Sequence, residues 1–112
     1  GLRHNSAFGP VLMLGLGGIF VEVLKDVVFA QAPLSRYDAK LMVDQLRGKA
    51  VLDGARGRPA VDKRALIDTL CALSDFAIEN PDVVELDLNP VFAGPDGMLA
   101  VDWLMMSTNG RK

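Results

Sequence analysis

Residues 83–92, VVELDLNPVF, place polar side chains at every second position of an apolar run, and this pattern limits what the stretch can become. Side chains at i, i+2 and i+4 of a strand share one face, so Glu85, Asp87 and Asn89 are expected on one side and Val84, Leu86 and Leu88 in a core. A second apolar run, MLAVDWLM at 98–105, follows across GPDG, where Pro presets φ and Gly accepts positive φ. The two runs predict a hairpin. Pairing Ala93 with Met98 and counting back sets Asn89 opposite Asp102, on the same face. Directly opposed Cβ atoms stand roughly 5 Å apart, close enough for two oxygen ligands to share a hard cation. The spacing thus proposes a Mg²⁺ site. The alternative is a polar strand face washed by solvent, and a slip of one residue would turn Asp102 to the other side.

With 112 residues, half of them hydrophobic, the chain can build one domain around a core. Its formal net charge is -2 and its Lys and Arg residues are scattered, which argues against a nucleic-acid partner. The single cysteine, Cys71, excludes an internal disulfide framework and fits a reducing compartment; on an apolar helix face it is expected in the core. The longest apolar stretch, VLMLGLGGIFVEVL, contains three glycines and Glu22, and falls short of the ~20 clean apolar residues of a membrane span. No small-residue cleavage site follows it, so it is not a signal peptide, and a cytoplasmic location without membrane partners is expected. The start, GLRHNSAFGP, has no initiator Met and runs straight into a hydrophobic strand, as a segment of a longer chain would.

Residues 10–14 and 18–29 read as strands joined by the glycine-rich GLGG. Ser35 with Asp38 resembles a capping box, and Ala39, Met42, Val43 and Leu46 recur at helical spacing, predicting a helix that ends near Gly48. After a Gly- and Arg-rich loop at 51–62, Asp62 can cap a second helix with the stripe Leu66, Leu70, Leu73 and Ala77, stopped by NPD at 80–82. The order strand, strand, helix, helix, strand, strand implies an α+β fold, an antiparallel sheet with helices packed on one face. Domain bounds of 1–106, with a polar tail at 107–112, are expected.

Four further features each have two explanations. GLGG lets backbone N–H groups approach a phosphate, or simply makes a tight turn; it lacks the Lys and Ser/Thr of a phosphate-binding P-loop. Glu22 lies among Phe20, Val21, Val23 and Leu24, so it binds a cation, pairs with a Lys or Arg, or lies on a wet strand edge. Arg56 and Arg58 suit a phosphate or carboxylate, or are solvated loop residues. His4, the only histidine, has no Ser or Cys partner in sequence and is expected at the surface.

Taken together, FGPVLMLGLGGIFVEVLKDVVFAQAPLS, LDGARGRPAVD and ELDLNPVFAGPDGMLAVDWL resemble the C-terminal half of the ATP-grasp domain in NDP-forming acyl-CoA synthetases of the ADP-forming acetyl-CoA synthetase β-subunit type. The resemblance runs from about Gly1 to about Leu104. It implies a C-terminal ATP-grasp lobe and a reaction that interconverts acyl-CoA, ADP and phosphate with acid, CoA and ATP. The implied cofactors are Mg²⁺ and ATP or ADP, and the implied metal ligands are Asp87, Asn89 and Asp102. Gly17 and Gly18 would lie by the nucleotide, and the implied catalytic residues are Glu22, which would support the metal or phosphate region, and Arg56, which would meet a phosphate or acyl phosphate. The rest of the synthetase, with its CoA-binding and ligase domains, is the implied partner. The segment alone is expected to be inactive, and its uncovered apolar surface leaves a homo-oligomer open. Asn5 departs from the family pattern, which has Asp there. Related segments fused to acetyltransferase domains make a ligand-sensing module the alternative, with a purely structural module as the third.

Overall fold

The computed structural model describes residues 1–5, 7–16, 23, 25–53, 60–88, 91–94, 97–100 and 103–108, with the backbone alone for Val51, 91–94, 97–100 and Trp103. The elements are β1 (Leu2–Asn5), β2 (Gly9–Gly15), β3 (Val27–Gln31), α1 (Arg36–Gln45), α2 (Lys63–Glu79), β4 (Val83–Leu88), β5 (Val91–Gly94), β6 (Gly97–Ala100) and β7 (Trp103–Ser107), with one 3₁₀ turn at Lys49–Val51. Among the described residues, β3, β2, β1, β4 and β7 form a five-stranded sheet in that order, and β5 pairs with β6. Every pairing is antiparallel. The expected α+β architecture is therefore present.

The core follows from two periodicities meeting. Along the strands, Leu2 pairs with Leu12 and Leu86, Leu12 with Ala30, and Leu14 with Val28, so one face of the sheet is apolar across four strands. From the helices, Ala39, Met42 and Val43 of α1 and Leu66, Leu70 and Ala77 of α2 are buried in the same cluster, at the 3–4-residue spacing of a helical stripe. Leu73 and Cys71 are partly buried against it. Both helices begin as expected. Ser35 accepts from the Asp38 amide at 3.0 Å while Asp38 accepts from the Ser35 amide at 3.0 Å, and Asp62 accepts from the Ala65 amide at 3.1 Å. Asn80 closes α2 by donating its amide to the Phe76 carbonyl. No helix among the described residues is long and apolar enough to cross a membrane.

Four local expectations differ from the structure. Of the strand expected at 18–29, residues 18–22 and 24 lie outside the described residues, and among the described ones strand begins at Val27: Val23 lies in a turn, and Lys25 takes φ 56°, a left-handed backbone outside the β region. β1 had no counterpart among the expected strands, yet it lies mid-sheet between β2 and β4. α1 ends at Gln45 rather than near Gly48, because Leu46 turns to ψ 130° and the next two amides are taken by a side chain. On β4, Val83 is buried and Val84 only half-buried, since the register to β7 shifts between Val83 and Glu85.

The side chain that takes those amides is Asp26. It is 4% exposed and accepts from the Arg47 and Gly48 backbone N–H groups, each at 2.8 Å. Ser74, also fully buried, accepts from the Leu34 amide at 2.7 Å. The Arg47 amide bond is the main cause of a lowered Asp26 pKa, opposed by burial and reinforced by the Gly48 amide and the Arg47 charge. A carboxylate with a depressed folded pKa contributes stability that is fully present above its unfolded pKa of roughly 3.9 and is lost as pH falls through the folded value. Thermal unfolding followed across the acid range is thus expected to fall less steeply with pH in Asp26→Asn than in the unmodified protein. Identical acid slopes would show that Asp26 is not charged in the fold.

Candidate functional site

Because Leu86 is committed to the core, its neighbours Glu85 and Asp87 emerge on the opposite, open face of the sheet. The same alternation brings Arg3 of β1, Val11 and Met13 of β2 and Phe29 of β3 to that face. Arg3 pairs with Glu85 across the ladder, and its Nη2 donates to Glu85 Oε2 at 3.3 Å. These residues line a cavity of about 500 Å³, with Asp87 at one side and the largely exposed rings of Phe8 and Phe29 at the other. Leu104 and Met106 of β7, paired with Asp87 and Glu85, leave that face apolar and exposed at its edge. An open face with a carboxylate corner and an apolar floor suits a ligand with an apolar part and a cationic or cation-bearing part.

Asn5, the departure from the expected acid, closes the β1–β2 turn: its Oδ1 accepts from the amides of Ala7 at 2.7 Å and Phe8 at 3.0 Å. An aspartate would make the same two bonds. His4 is half-buried and alternates with Arg3, which places it on the helix side of β1, away from Asp87.

The pairing of Ala93 with Met98 is found as the sequence predicts. The two residue numbers in each pair add to one constant from Ala93–Met98 through Val91–Ala100, and again from Leu88–Trp103 through Glu85–Met106. The stretches between these two ladders contain Asn89 and Asp102, which lie outside the described residues, as do Gly17, Gly18, Glu22 and Arg56. Of the seven expected site residues the structure describes Asp87 alone. Among the described residues no group of three His, Cys, Asp or Glu side chains could hold a metal ion. The sequence reading also missed Asp26 and the Arg3–Glu85 pair. Asp26 had no periodic signal to mark it, and Arg3 became visible only once β1 was known to border β4.

Residues 1–106 match the sequence profile of the ATP-grasp domain, so the chain belongs to the ATP-grasp family. Within it, the chain is similar to ADP-forming acetate–CoA ligases. It is 43% identical over 106 residues to the β subunit of acetate–CoA ligase (ADP-forming) I of Pyrococcus furiosus, covering 95% of this chain and 46% of that one. A solved structure of ACD1 from Ca. Korarchaeum cryptofilum with coenzyme A superposes with a TM-score of 0.91 at 42% identity, over 95% of this chain and 47% of the other. A second, of acetyl-coenzyme A synthetase 1 from the same organism with coenzyme A and Mg-AMPPCP, gives 0.89 at 42% identity, over 95% and 50%. Its phosphohistidine segment points towards the nucleotide-binding site. The chain thus spans about half the length of these relatives.

The Arg3 side chain is 74% exposed and that of Glu85 28%. Such pairs add little to stability, so Arg3→Ala is expected to change the free energy of urea unfolding by less than about 1 kcal/mol. A larger loss would mean that Arg3 packs as well as pairs.

Proposed function

We propose that this chain is the metal-bearing half of the nucleotide clamp of an NDP-forming acyl-CoA synthetase, which interconverts acyl-CoA, ADP and phosphate with free acid, CoA and ATP. The observation that carries this is the constant register on both sides of the hairpin's middle, with Asp87 on the open face of the sheet. If the ladder runs through at the same count, Asn89 opposes Asp102 and both join Asp87. That donor set is all oxygen, two carboxylates and one amide, which fits Mg²⁺. Mg²⁺ typically takes only one or two carboxylates and leaves its remaining positions to phosphates and water. The relatives' ADP-forming ligase activity, and the Mg-AMPPCP bound in a structure 42% identical to this chain, support the same reading.

In this reading Asp87, Asn89 and Asp102 hold the cation, which when bound offsets charge on the phosphoryl group. Glu22 supports that region, Arg56 binds a phosphate through its planar fork, and Gly17 and Gly18 let backbone amides approach the nucleotide. The Glu85 carboxylate, already held by Arg3, stands beside this set. The nucleotide lies against the open face, and the remainder of the synthetase supplies CoA binding and the ligase step. The 112-residue chain alone has no synthetase turnover.

Titration calorimetry of ADP or ATP with Mg²⁺ into the full-length protein tests the assignment, with Asn89→Ala/Asp102→Ala and Asp87→Ala/Asp102→Ala beside the unmodified protein. Each pair is expected to abolish metal-dependent nucleotide binding while circular dichroism stays unchanged. Equal binding by all three would overturn the metal assignment and favour a module that keeps the fold without the chemistry.

A further inference from the structure

Asp26 is the one buried carboxylate among the described residues, and the phosphate and metal chemistry proposed above does not use it. Both of its oxygens are directed at the main chain of another element: Oδ1 at the Arg47 amide and Oδ2 at the Gly48 amide, with Arg47 Nε 3.9 Å from Oδ1. On its own side, Asp26 follows Lys25 in its left-handed conformation and immediately precedes β3. It therefore stands at one root of the β2–β3 connection, whose other root is set by the Gly15–Val27 pair. That connection carries Gly17, Gly18 and Glu22 in sequence. On the other side, Arg47 and Gly48 lead from α1 into the 3₁₀ turn and on to the segment carrying Arg56, whose root is closed by the Val61 amide donating to the Leu52 carbonyl at 2.8 Å.

We propose that Asp26 is a positioning residue that ties the entry of β3 to the end of α1, and with them the roots of two connections that carry, in sequence, Gly17, Gly18 and Glu22 on one side and Arg56 on the other. The roles of those four side chains rest on the proposed function; the tie itself rests on described residues alone. A carboxylate is matched to this tie, because each amide meets an oxygen of its own. Two consecutive amides both donate, and both oxygens of a carboxylate accept, in bonds roughly twice as strong as neutral ones. An asparagine would satisfy one amide and turn its own NH₂ donors on the other. A carboxylate is costly to bury, so its presence here is explained by what it joins.

Hydrogen exchange followed by mass spectrometry on the full-length protein tests this, with Asp26→Asn compared with Ser74→Ala. Ser74 is the other buried polar side chain among the described residues and bonds the Leu34 amide, away from both roots, so it reports a general loss of stability. In Asp26→Asn, peptides spanning 16–26 and 46–60 are expected to exchange about tenfold faster, together, with β4 and β7 unchanged; Ser74→Ala gives no such joint acceleration. Asp26→Ser, smaller and still an acceptor, is read in the same way and keeps the test decisive if the asparagine variant does not fold. Acceleration at one root only, uniformly through the sheet, or not at all overturns the tie. Where both proteins are fully folded, kcat is expected to fall and KM for nucleotide to rise in the Asp26 variants, together about tenfold in kcat/KM, and both to stay near the unmodified values in Ser74→Ala. Unchanged kcat and KM alongside faster exchange overturn the positioning role. Exchange needs no nucleotide, so joint acceleration in a protein that shows no turnover even unmodified refutes the proposed function and leaves the tie standing.

Discussion

Burial of one face of the sheet decides which side chains remain for chemistry on the other. Leu2, Leu12 and Leu86 lie in register across β1, β2 and β4 and pack beneath the two helices, and a strand cannot turn one residue inward without turning the next outward. Full burial of a Leu side chain is worth roughly 1.5–3 kcal/mol, far more than an exposed ion pair contributes. The apolar residues therefore set the register, and Arg3, Glu85 and Asp87 take the positions left to them. A carboxylate corner beside an apolar floor is a consequence of that constraint.

Buried polar groups then fix what apolar packing leaves loose. Hydrophobic contact is non-directional and would tolerate several placements of α1 against the sheet. Asp26 admits one, because two amides at 2.8 Å must both meet its oxygens, and Ser74 adds a second directional bond where the chain enters α1. Both sites join segments distant in sequence, so they act on tertiary placement more than on any single element. It follows that α1 stops at Gln45 for a tertiary reason, although Arg47 and Lys49 favour helix locally.

Much of this was legible in the residues. The caps at Ser35 and Asp62, the stripe of α2 and the pairing of Ala93 with Met98 are local signals, set by spacings of two to four residues and by Pro-Asp-Gly chemistry. The family was legible because three motifs occur in order along the chain. What was not legible depends on distant partners. β1 is four residues long and mostly polar, and becomes a strand because β2 and β4 flank it. The left-handed Lys25 interrupts an apolar run that reads as continuous strand. The shift between Val83 and Glu85 exchanges which valine is buried, a choice made by the partner strand β7. Of the candidate site, the alternation that exposes Asp87 was readable, whereas the Arg3 beside it required knowing which strands are neighbours.

The central claim is that the β4 hairpin holds the cation. It is tested most directly by anomalous diffraction from Mn²⁺, substituted for Mg²⁺, in crystals of the full-length protein with an ADP or ATP analogue. The expected result is an anomalous peak in coordination contact with side-chain oxygens of Asp87 or Asn89 and of Asp102. A peak held by other residues, with these three side chains more than a coordination distance away, would contradict it.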